Sequence, residues 1–181
     1  MASEFEAIIQ SYYVAYYGRP ADPDGLAFWV DSIEQLNGDM SAMLSMFGVS
    51  DEATELFGSA TVSDRIDSIF EQTFGRAATA AEIAQYSSQI ESGATSLVSL
   101  MQNITAAATG ADATVLQART QVAEQFVAQL VATGSEYAGA IAADVAKSLL
   151  TQVTATTDVT TFVAANVAKT MELVQLSTDK P

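Results

Sequence analysis

The chain has 181 residues, 49% of them hydrophobic, and carries 7 Lys and Arg against 22 Asp and Glu, a formal net charge of −15. That length and apolar content suffice for one compact domain or two small ones, and the acidity excludes nucleic-acid binding through a basic surface. With no cysteine and no histidine, disulfides, thiolate or imidazole metal sites and Ser-His-Asp catalysis are excluded, so an enzyme would have to run on carboxylates, tyrosine or lysine.

Phe5, Ile8, Ile9, Tyr12, Tyr13 and Tyr16 recur at helical spacing and predict a first helix from Glu4 to Tyr17. Gly18 follows the apolar run and suits the left-handed conformation that closes a helix, with Arg19 placed to meet the last carbonyls. Asp22 then reads as an N-cap and Pro23 as the first residue of a second helix, where a missing N–H is harmless. Leu26, Trp29, Val30, Ile33 and Leu36 make its expected buried face. Asn37-Gly38 breaks the pattern, and Met40, Met43, Leu44 and Phe47 supply a short third helix capped by Asp39. Ser50-Asp51-Glu52 starts a fourth, with acidic residues at its positive end, which Gly58 closes.

A second, worn copy of the first corner stands at Phe74-Gly75-Arg76-Ala77-Ala78, offset by 75 − 18 = 57 residues. Its first helix begins at Ser63-Asp64 and carries Ile66, Ile69, Phe70 and Phe74; Ile33-Glu34 falls on Ile90-Glu91, and Asn37-Gly38 on Ser92-Gly93 after a two-residue deletion. Leu97, Leu100, Met101 and Ile104 replace the third helix. Two copies indicate a duplicated supersecondary unit rather than a solenoid. From Gly110 the texture turns to Ala, Thr, Val and Gln. Val115, Val122, Phe126, Val127, Leu130 and Val131 fit a helix from Asp112 to Ala132, ended by Gly134. Tyr137, Ile141, Val145, Leu149 and Val153 step along the next helix, and Val159, Phe162, Val163, Val167, Met171 and Val174 along a last one capped by Asp158. No stretch alternates like a strand, so the expected fold is all-α: two pseudo-repeated helical units at about 4–57 and 62–108, then three antiparallel helices. In domain terms, 1–109 holds the tandem repeats, 110–176 the helices packing on them, and 177–181 the start of a linker.

The start, Met1 to Glu6, has no basic segment followed by an apolar run, so a Sec signal peptide is not expected. The longest charge-free run, Ser92 to Ala111, is too polar to span a membrane. Tyr12, Tyr13, Tyr16, Tyr17 and Trp29 fit a core, and are also the residues that could offer sugar-stacking faces. Arg19 and Arg76 suit helix capping, or contact with phosphate or a sugar acid. Asp22 and Asp24 could give two carboxylates to calcium, although an acidic first helical turn explains them and an EF-type loop spreads ligands over about twelve positions. An anionic partner of so acidic a surface would need such a bridging divalent cation. Glu34 and Glu91 are the carboxylates kept between the copies; a glycosidase pair stands roughly 5 to 9.5 Å apart, and solvated helix faces account for both better.

The run Tyr17-Gly18-Arg19-Pro20-Ala21-Asp22-Pro23-Asp24-Gly25-Leu26-Ala27-Phe28-Trp29, with its second copy, resembles the bacterial DUF4214 domain, itself similar to the phycobilisome-linker helical domain. The segment Gln117 to Ala123 is similar to the region downstream of such domains in large RTX-type and surface-layer (S-layer) proteins. The resemblance implies a non-catalytic module of a protein exported by type I secretion to the extracellular cell surface without an N-terminal signal peptide. There it would anchor to the O-polysaccharide of lipopolysaccharide, with Ca²⁺ as the cation that would assist, and with self-assembly among neighbouring subunits. A protein–protein scaffold module is the rival reading, and a carbohydrate-active enzyme domain the third.

Overall fold

In the computed structural model the described residues are 4–178, and they form ten α-helices and no strand, so the fold is all-α. The helices are α1 (Glu4–Tyr17), α2 (Pro23–Gln35), α3 (Ser41–Val49), α4 (Asp51–Phe57), α5 (Val62–Phe74), α6 (Ala80–Glu91), α7 (Leu97–Ala107), α8 (Gly110–Thr133), α9 (Ala140–Thr151) and α10 (Val159–Thr178). Among the described residues no helix is long and apolar enough to cross a membrane. The linker expected from 177 instead continues α10 to Thr178, and 179–181 lie outside the described residues, as do 1–3.

Local chemistry sets most boundaries. Gly18 takes φ 73° and donates to the Val14 carbonyl at 3.0 Å, ending α1. Asp22 Oδ1 accepts from the Gly25 amide at 2.6 Å, with Pro23 in the first turn of α2. Asp39 accepts from the Ser41 amide at 2.8 Å before α3, and the Ser50 hydroxyl from Ala53 at 3.0 Å at the head of α4. Reciprocal capping boxes, Thr61 with Asp64 and Thr79 with Glu82, open α5 and α6, so α5 starts one residue ahead of the Ser63 expected for it.

Helix α1 lies at the centre, packed against α2, α5, α7 and α8, while α10 packs on α8 and α9. Ile9, Val14 and Ala15 of α1 are wholly buried together with Ile66 and Ile69 of α5, Leu100 of α7 and Phe126 of α8. Each large aliphatic or aromatic side chain so buried stabilises the fold by about 1.5–3 kcal/mol before chain entropy is counted. Tyr13, Tyr16 and Tyr17 gather around Phe47, with ring centroids 4.8–5.8 Å apart.

The two corners repeat their contacts at the 57-residue offset. Ala21 N–H donates to Gln10 Oε1 at 3.1 Å, and Ala78 N–H to Asp67 Oδ1 at 2.7 Å. The Arg19 guanidinium lies 5.4 and 5.6 Å from the ring centres of Tyr13 and Tyr17; Arg76 lies 5.0 and 5.7 Å from those of Phe70 and Phe74. Both arginines also donate through Nη1 to the next residue's carbonyl, Pro20 at 2.9 Å and Ala77 at 3.1 Å. Neither caps the helix before it. That task falls to other helices: Arg119 Nη1 of α8 donates to the Glu71 and Gln72 carbonyls of α5 at 2.7 and 2.6 Å. The Gln72 amide, oriented to donate, reaches the Ala15 and Tyr16 carbonyls of α1 at 3.0 and 2.9 Å.

Three apolar faces differ from expectation. Helix α9 buries Ala142, Ala146, Leu149 and Leu150, whereas Ile141 is 62% exposed and Tyr137 precedes the helix. Of the expected stripe Leu149 is buried within the helix, and Tyr137 and Val153 are buried beyond its ends, so the departure is Ile141, which is exposed while Ala142 and Ala146 are buried. Leu36 follows the last turn of α2 as its C-cap, and Val131 lies in the last turn of α8; both are exposed.

Candidate functional site

A cleft of about 570 Å³ opens where the α1–α2 corner, α4 and the segment leading into α9 meet. Its lining includes Tyr17, Arg19, Asp22 and Asp24 from the corner, Glu52 and Glu55 from α4, and Tyr137, Asp144 and Lys147 from the last third of the chain. At its inner edge Arg19 and Glu52 form a two-pronged ion pair, Nε to Oε1 and Nη2 to Oε2, each 2.6 Å. The pair is largely withdrawn from water, with Arg19 14% and Glu52 32% exposed. Burial pushes the guanidinium pKa down, but the Glu52 hydrogen bonds and the charges around it outweigh that and hold it above its ordinary value.

Two tyrosines brace the same place. Tyr137 Oη donates to the Pro20 carbonyl at 3.3 Å, tying the α8–α9 connection to the corner, and its ring packs edge-on against Phe126 at 5.4 Å. Tyr17 Oη pairs with Ser50 Oγ at 3.0 Å. Desolvation raises the phenols of Tyr13, Tyr16 and Tyr137 to about 12. These hydroxyls therefore stay neutral, as hydrogen-bonding groups rather than bases.

Of the residues proposed from sequence, Tyr17, Arg19, Asp22 and Asp24 come together here. Tyr13 and Tyr16 are only 7% and 2% exposed, so they are core residues without a stacking face to offer. Tyr12 and Trp29 are half-buried and outside the cleft lining; Trp29 packs edge-on against the exposed Phe28 at 4.9 Å. The four tyrosines therefore form no sugar platform, because three of them face the core of α1. Asp22 is engaged as the cap of α2, and Asp24 is exposed in the first turn. Among the described residues no group of three or more Asp and Glu side chains is placed to hold a metal ion. Glu34 and Glu91 are exposed and outside the cleft lining.

Glu52, Glu55, Tyr137, Asp144 and Lys147 carry no sequence signal for this site. They reach it from separate segments; Tyr137 and the Pro20 carbonyl it meets are 117 residues apart.

At the second corner the arginine fork is filled from two sides. Arg76 meets Glu82 at 3.0 and 2.9 Å and Asp112 at 3.0 and 2.7 Å. The Arg76 hydrogen bonds, aided by the Thr79 amide and opposed by partial burial, hold the Glu82 carboxyl down at about 2, against an ordinary 4.5. Because its folded pKa is depressed, Glu82 stabilises the fold above pH 4.5, and that contribution is lost as pH falls toward 2. Glu82 is 27% exposed, so screening reduces the effect to about 1 kcal/mol. Comparing Glu82→Gln with the parent chain in urea melts from pH 6 to 2.5 should show a deficit at pH 6 that closes at the acid end. A deficit independent of pH would remove the ion pair as its cause.

No family model, no curated protein and no solved structure matches the chain.

Proposed function

We propose that the chain is a non-catalytic anchoring module of a secreted surface protein of the S-layer or RTX type, binding the O-polysaccharide of lipopolysaccharide at the cell surface. The observation that carries this reading is the cleft itself. Its size suits a short stretch of glycan, and it combines carboxylate acceptors and a lysine donor on a helical frame. Saccharides present many hydroxyl donors, which carboxylates accept well. The absence of histidine and cysteine, which removes the commonest general base and the thiolate nucleophile, fits binding better than catalysis.

Co-sedimentation with lipopolysaccharide, with and without its O-polysaccharide, in Ca²⁺ and in EGTA, tests the proposal. The protein is expected to pellet only with the form bearing O-polysaccharide. Pelleting equally with both forms would overturn the O-polysaccharide reading. Retention in EGTA would remove Ca²⁺ from it, and no pelleting in any condition would favour the scaffold reading.

A further inference from the structure

A smaller recess of about 240 Å³ opens where α4, α5 and the start of α7 meet over Tyr16 of α1. Tyr17 and Tyr137 commit their hydroxyls to Ser50 and the Pro20 carbonyl. Tyr16 is 2% exposed and lines the recess, yet its hydroxyl makes no hydrogen bond among the described residues and is not sealed from the open space. Burial raises this phenol to about 12, although the nearby Arg65 charge pulls it down, so it stays protonated and has a hydrogen to donate. Arg65 lines the same recess and enters no ion pair among the described residues. Its Nε and Nη2 donate to the Ala60 and Gly58 carbonyls at 3.0 and 3.4 Å, which leaves Nη1 open.

Helix α7 supplies a third set of donors. Ser96 caps it by accepting from the Ser99 amide, and the Leu97 and Val98 amides of its first turn donate to nothing among the described residues. No Asp or Glu lines the recess, so on a chain of net charge −15 this surface is locally positive. Its remaining walls include the buried side chains of Phe57 and Val98. We propose that the recess binds a small organic monocarboxylate, its oxygens on the α7 amides, Arg65 and the Tyr16 hydroxyl and its apolar body against Phe57 and Val98. An apolar cavity of about 150 Å³ accepts benzene, so 240 Å³ holds a ring with a carboxylate. One guanidinium matches the single charge of a carboxylate, whereas a phosphate monoester would bring a second charge against apolar walls. The recess shares no lining residue with the larger cleft, so carboxylate binding here and glycan binding there stand or fall separately.

Titration of the full chain at pH 7 with benzoate, benzamide and phenyl phosphate, followed by amide NMR, tests the site. Benzoate is expected to shift the Leu97 and Val98 signals with roughly millimolar affinity, and the two other probes to bind about tenfold more weakly. Tyr16→Phe should weaken benzoate about fivefold and Arg65→Gln about tenfold. Tyr12→Phe, at a half-buried residue off this lining, should bind as the parent does. Because the Tyr16 hydroxyl bonds nothing in the free chain, Tyr16→Phe should also keep the parent's urea midpoint, which separates lost binding from lost folding. No shift at Leu97 and Val98, or parent affinity in either the Tyr16 or the Arg65 variant, would overturn the site. Equal binding of benzamide would overturn selection of a carboxylate, and tighter binding of phenyl phosphate would replace it with selection of a phosphate. A lowered midpoint for Tyr16→Phe would make the hydroxyl part of the fold and overturn its assignment to a ligand.

Discussion

Replacing Phe126 by alanine is expected to lower the stability of the fold by about 3–5 kcal/mol. Phe126 has no exposed surface and sits on α8, the helix that packs against both α1 and α10. Its ring meets Tyr137 edge-on at 82°. Truncation removes transfer free energy and leaves a cavity that three helices cannot all close upon, because each is fixed by other buried contacts. In urea the midpoint should fall with an unchanged slope, and the thermal midpoint should drop by roughly 10 °C. Phe28→Ala, at a residue 61% exposed, should stay within about 0.5 kcal/mol of the parent. Equal effects for the two phenylalanines would show that α8 is not the helix on which the core closes.

The second large effect is expected at Glu52. Glu52→Ala leaves Arg19, largely buried against Tyr13 and Tyr17, without its carboxylate, and should cost about 3 kcal/mol. Glu55→Ala, on the same helix but without a partner for its side chain, should cost less than about 0.5 kcal/mol. The double variant Arg19→Met, Glu52→Leu is expected to recover much of the loss, because the penalty lies in the unpaired buried charge rather than in the absence of attraction. A double variant as unstable as Glu52→Ala would show that the fork geometry itself holds the corner. At the second corner Asp112→Ala should cost less than Glu52→Ala, since Arg76 keeps Glu82 and is 36% exposed.

Much of the helical order is legible in the chain because its signals are local. Gly18, Asp22, Pro23, Ser50 and Asp158 each act within a few residues: Asp158 accepts from the Thr161 amide at 2.8 Å, and Ser50 from Ala53. The stripes of α7 and α10 are legible too, since Leu100, Met101 and Ile104 lie on one face and Val167, Met171 and Val174 on another. Helix α9 is different, because apolar spacing favours Ile141 over the alanines beside it, whereas Ala142 and Ala146 are the residues buried with Leu149 and Leu150. Arg19 and Arg76 look like caps in sequence because only their position after a glycine is visible there; their carboxylate partners lie 33 and 36 residues away, with Glu82 nearer Arg76.

The 57-residue offset is visible in the chain, and the contacts of Gln10 and Asp67, Tyr13 and Phe70, and Arg19 and Arg76 recur at that same spacing. Sequence by itself determined the all-α class, most helix ends and the exclusion of the chemistry that histidine and cysteine would have supplied, since composition and capping depend on nothing distant. Only the tertiary structure decided which carboxylates share a cleft. Asp24, Glu55 and Asp144 stand on three different helices, and no local rule orients separate helices toward a common space until the core between them has packed.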